Sequence, residues 1–166
     1  MRRTTIVLFG CVIVTVLALG AGYLIGGSWV GALVVVGIGG MWLLAHLIGN
    51  HPAGNLLAWL SLTGGAAIGV AIDLPAGLML VAAVAALCAW DVAHYEQRLG
   101  EAARVDPSGA LDRQHMSRLA LTAAAGLAIG AMALLIRVDL GFGVAFALAI
   151  AAVVLLSQLV RLATKG

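Results

Sequence analysis

The sequence predicts an all-α integral membrane protein with six transmembrane helices arranged as three tandem helical hairpins. Composition is the first observation behind this expectation. Of 166 residues, 63% are apolar before 22 glycines are counted, 10% are charged, and the mean hydropathy is +1.14. Soluble domains run at about 45–50% apolar and about 25% charged, and a soluble chain this short has no core large enough to hide the excess. The second observation is spacing: apolar runs recur at the ~20-residue length that crosses a ~30 Å hydrocarbon core. The third is the placement of basic residues on alternate connections. Together they exclude a soluble enzyme, a secreted disulfide scaffold and a disordered tail. The chain reads as one domain, 1–166.

The spans follow in order. Residues 5–25 form an apolar run behind Arg2 and Arg3. It is longer than a signal-peptide core and no small-residue cleavage site follows, so it is read as a retained helix. Residues 29–48 follow the Gly26-Gly27-Ser28 turn, and 55–72 follow Gly49 to Pro52. The fourth span, 75–93, starts at Pro75, a residue well suited to a first helical turn. The long connection 94–116 comes next. Asp91 to Arg98 extends the fourth helix, Gly100 weakens it, Asp106-Pro107-Ser108-Gly109 is turn chemistry, and a helix restarts near Ala110. A helical hairpin is therefore expected over 94–116. The last spans are 118–136 and 140–160.

With six spans both termini share a side. That side carries Arg2, Arg3, Arg98, Arg104, Arg113, Arg118, Arg161 and Lys165, and the other carries only Arg137. The bias makes both termini and the 94–116 hairpin cytoplasmic. Removing any one span destroys the asymmetry. Eight Arg to one Lys, with abundant Ala, fits a GC-rich prokaryotic genome and hence a multi-pass protein of a prokaryotic plasma membrane.

Three outer turns align as an internal repeat. Each has Ser28, Asp73 or Asp139, then a large apolar residue, then Gly. A helix start leaves unpaired N–H groups that Ser or Asp can accept from, and near lipid such orphans are costly. Ser28, Asp73 and Asp139 are therefore expected to cap the even-numbered helices. A second echo is W-x-x-A-H, at Trp42 to His46 and at Trp90 to His94. Gly22/Gly26, Gly65/Gly69 and Gly126/Gly130 supply small-xxx-small spacing on odd-numbered spans, which lets helices approach closely.

All four histidines fall toward the basic side. His46 and His94 end even-numbered spans, while Asp91/His94 and Asp112/His115 repeat an acid–imidazole spacing of one turn. Imidazole and carboxylate together bind transition metals, and imidazole binds haem iron. His46, His94, Asp91, Asp112 and His115 are thus the candidate metal or haem ligands. The ordinary alternative is an interfacial belt of residues with an apolar body and a wet tip. No cofactor motif is present; haem or a transition metal is the class the histidines leave open. Cys11 and Cys88 lie inside apolar runs and read as small hydrophobes. No intramembrane Ser–His or paired-Asp arrangement supports catalysis, and no charge sits at mid-membrane depth to couple transport.

The function expected from this pattern is a non-catalytic subunit, assembly partner or scaffold of a larger membrane complex. It would dock a protein partner, or a second copy, through Glu96, Arg98, Glu101, Arg104 and Arg113 of the hairpin. A small transporter or pore for an uncharged solute is the second expectation, and a haem- or metal-binding membrane protein the third. The lipid bilayer is a partner in every case. Nucleic acid is not, for want of a basic stripe.

Overall fold

The computed structural model describes residues 3–49, 52–101 and 110–136. They form five α-helices: α1 Arg3–Ile25, α2 Trp29–Ile48, α3 Pro52–Ala71, α4 Ala76–Glu101 and α5 Ala110–Ile136. All five are long and apolar enough to cross a membrane, the pattern of a multi-pass membrane protein. The expected sixth span, 140–160, and with it Arg137 and Asp139, lies outside the described residues. The chain divides into two compact units, Met1–Leu134 and Leu135–Gly166, and nearly all described residues fall in the first.

The turns explain where the helices stop. At the end of α1, Gly27 has φ +77, Gly27 N–H donates to Leu24 C=O at 3.0 Å, and Ser28 N–H donates to Tyr23 C=O at 2.8 Å. This is the Schellman pattern, which satisfies the orphan carbonyls of a helix end through one left-handed residue. The end of α3 repeats it with Asp73 at φ +59, Asp73 N–H to Val70 C=O at 3.2 Å, and Leu74 N–H to Gly69 C=O at 2.9 Å.

The shared geometry aligns Gly27 with Asp73 and Ser28 with Leu74, one residue away from the alignment expected from sequence. Ser28 sits at the N-cap of α2, its hydroxyl accepting from Gly31 N–H at 3.2 Å. Asp73 has a different place from the one expected. It closes α3 from the left-handed region, which Asp tolerates better than most side chains, and α4 begins only at Ala76. Buried Leu74 takes the position after it.

α1 makes its most extensive contact with α4 and is flanked by α2, while α3 lies against α4 and α2. The reason is a match of faces. Leu8, Val12, Thr15 and Leu19 recur at helical spacing on α1 and are fully buried. Opposite them α4 presents Ala82, Ala86, Ala89 and Ala93, all buried. Lipid is as apolar as leucine, so close approach and dispersion hold such helices together. Thr15 removes its own polarity by donating to Cys11 C=O at 2.9 Å. Met79 enters the holes left by Gly22 and Gly69, where a Cβ would overlap its side chain. Tyr23, also buried, spends its hydroxyl on Gly65 C=O at 2.9 Å.

The α1–α2 seam has close approaches at Gly31, against Tyr23, and at Gly39, against Val16. A Cβ on Gly39 would overlap Cγ2 of Val16, whereas one on Gly40 would meet nothing within 4 Å. Val16 is β-branched and stiff about χ1, so it cannot swing aside. Gly39→Val is expected to destabilise the fold by about 1–3 kcal/mol. Gly40→Ala is expected to be neutral or stabilising. Thermal unfolding in detergent separates the two variants; equal midpoints would contradict the seam.

α5 is set apart. None of its apolar span is buried, against 39% for the spans of α1 and α4. Its C-terminal half touches α4 where Leu80 fills the hole at Gly130. With 26 and 27 residues, α4 and α5 are about 39 and 40 Å long, longer than the hydrocarbon core.

Candidate functional site

The polar side chains collect where α1 begins, α2 ends, α4 ends and α5 begins, here termed the basic end. Glu96 is at its centre. On α4 it follows Ala89 by seven, Val92 by four and Ala93 by three, so it continues the buried face. Its Oε1 accepts from the hydroxyls of Thr4 and Thr5, the latter at 3.1 Å, and its Oε2 lies 3.1 Å from Nε2 of His46. The His46 and Glu96 side chains are 8% and 12% exposed.

One carboxylate thereby ties α1, α2 and α4 together, which resolves the cost of placing it among apolar helices. The docking role expected for Glu96 does not fit this position, because its side chain faces inward. His46 meets Phe9 edge-on at 6.3 Å, and its Nδ1 is buried with no hydrogen-bond partner among the described residues.

A second cluster joins α4 to α5. Tyr95 stacks on His115 with centroids 4.0 Å apart and donates its hydroxyl to Oδ1 of Asp112 at 3.0 Å. Nε2 of His115 is 3.0 Å from Oδ2 of Asp91. That contact has ion-pair distance without hydrogen-bond alignment, since the same nitrogen has no aligned partner among the described residues. Arg118 stands one turn further along α5.

A third group is an aromatic ladder. Trp59 lies 5.3 Å from Trp90, and Trp90 stacks parallel to His94 at 5.5 Å. Arg98 Nε donates to His94 Nε2 at 3.0 Å. That bond occupies the lone pair of Nε2. The two W-x-x-A-H copies thus differ in their surroundings. Trp90 is half-buried in the ladder, while Trp42 is 1% exposed and donates Nε1–H to Oδ1 of Asn55 at 2.9 Å.

The structure distributes the candidate ligands accordingly. It brings Asp91 and His115 together, places Asp112 on Tyr95, and leaves His46 and His94 in separate neighbourhoods with Glu96 and Arg98. Among the described residues no group of three or more His, Cys, Asp and Glu could hold a metal ion. Of the remaining hairpin residues, Arg98 and Arg113 are exposed, Glu101 is the last residue of α4, and Arg104 lies outside the described residues.

Two features escaped the sequence reading. Cys11 and Cys88 line one cleft where α1 meets α4. No spacing rule links residues so far apart in the chain. Glu96, by contrast, was findable, because its 3-4-7 spacing from Ala93, Val92 and Ala89 marks the buried face once α4 is extended as a straight helix. Comparison with known proteins returns no family model, no curated relative and no solved structure similar to this chain.

Proposed function

We propose that this protein is a non-catalytic scaffold or subunit of a larger membrane complex, docking a protein partner at the basic end. The observation that carries the reading is the joined projection of α4 and α5. Both helices outrun the hydrocarbon core, and Tyr95, Asp112 and His115 lock their ends into one platform. Exposed Arg98 and Arg113 lie on it, with Glu101 and Arg104 in the adjoining sequence. A bundle centre filled by Leu8, Val12, Leu19, Leu62 and Met79 favours this reading over a conduit between α1 and α4. On this proposal the basic end is cytoplasmic, the membrane is a prokaryotic plasma membrane, and 140–160 completes a third hairpin.

The test spares Glu96, which supports the fold. Arg98→Glu, Arg104→Glu and Arg113→Glu are combined in the full-length chain, and the complex is purified from native membranes. Wild type is expected to carry a partner in fixed stoichiometry, and the triple variant to lose it while melting close to wild type. Equal recovery of the partner with both proteins sinks the docking surface.

A further inference from the structure

The space between α4 and α5 has an unusual construction. The two helices meet at the basic end through Asp91, Tyr95, Asp112 and His115, and further out through Leu80 and Gly130. Between these contacts lies a partly open cleft of about 460 Å³. Its walls are apolar and include Leu87, Leu119 and Gly126; its basic end carries Asp91, His115 and Arg118. A cleft of several hundred cubic ångströms with apolar walls and a few convergent polar groups is the usual form of a small-ligand site. Here the polar groups stand at one end of an otherwise hydrocarbon-like slot, which is the layout of an amphiphile.

The charges narrow the head group. Arg118 is exposed and suits a phosphate. Asp91 is 44% exposed and its contact with His115 is unaligned, so its carboxylate keeps acceptor capacity. A purely anionic head group would set a second negative charge beside Asp91. A zwitterion carrying a phosphodiester and a primary ammonium satisfies both signs: phosphate toward Arg118 and His115, N–H donors toward Asp91. Gly126 opens the far wall, for a Cβ there would meet nothing within 4 Å.

We infer that the α4–α5 cleft is a binding site for a phospholipid with a primary-ammonium head group, the phosphatidylethanolamine class, with one acyl chain laid along Leu87, Leu119 and Gly126. This goes beyond the docking proposal; the two share His115, but their tests use different substitutions and readouts, so either can fail alone.

The experiment offers purified full-length protein equal amounts of phosphatidylethanolamine, phosphatidylcholine and phosphatidylglycerol with matched chains, and counts bound lipid by native mass spectrometry. Phosphatidylethanolamine is expected to be retained about fivefold over either competitor, the net scale of one hydrogen bond. Phosphatidylcholine shares the phosphate and lacks N–H donors. Asp91→Asn is expected to bring the two within about twofold of each other, because the anionic acceptor is gone. Arg118→Gln should weaken all three lipids together. Gly126→Leu, whose Cβ would meet nothing within 4 Å, should lower all three about tenfold by filling the slot. Equal retention by wild type, a preference for phosphatidylglycerol, or an ethanolamine preference that survives Asp91→Asn overturns the inference.

Discussion

Replacing Glu96 by alanine lowers the thermal unfolding midpoint in detergent by about 6–12 °C. The figure follows from a loss of about 3 kcal/mol at about 2–4 °C per kcal/mol for a chain of this size. The argument rests on what the substitution leaves behind. Two threonine hydroxyls and the His46 Nε2 all lose one acceptor at once, in a site where both His46 and Glu96 are about nine-tenths buried. Unmatched polar groups cost more than the net worth of the bonds they made. Glu96→Gln keeps one carbonyl oxygen for the threonines and forfeits the charge, so its midpoint falls between the other two. If the alanine variant melts with wild type, Glu96 is not the clasp of α1, α2 and α4.

Trp42→Ala is the second large effect, at about 3 kcal/mol. The origin differs from that in a soluble core. Transfer into lipid is no penalty for an indole body, so the loss comes from dispersion contacts around a fully enclosed ring. To this is added the indole N–H that Asn55 accepts. Trp42→Phe isolates that bond at about 1 kcal/mol. The expected order of midpoints is wild type, then Trp42→Phe, then Trp42→Ala. Were the phenylalanine and alanine variants equally unstable, packing would not be what Trp42 contributes.

These two side chains show how much could be read without coordinates. Five of the helices were legible because a run of ~20 apolar residues has one stable form in lipid. Ser28 was legible too, since a hydroxyl before a helix start has a single local use. The role of Asp73 was not. A polar residue between two helices can serve either the end of one or the start of the next, and only φ distinguishes them. Glu96 lies in a charge-rich stretch, yet helical phase, not neighbouring charge, decides which way a side chain points. The W-x-x-A-H pattern at Trp42 does not separate a tryptophan facing lipid from one facing Asn55. The pairing of Asp91 with His115 needed the relative height of α4 and α5, which no local pattern contains.

The prominence of the α1–α4 seam has a consequence for how the protein is made. A ribosome delivers the chain N-terminus first, at about 5–20 residues per second. The roughly 75 residues from the end of α1 to the end of α4 therefore take about 4–15 s to appear. Throughout that interval α1 sits in the bilayer without its principal neighbour, and Thr4 and Thr5 wait for a carboxylate not yet synthesised. The nascent helix has to be stable enough in lipid to persist without α4, which its 22-residue apolar span provides. Arrival of Glu96 then closes the bundle late, making the end of α4 the natural checkpoint between an inserted chain and an assembled one.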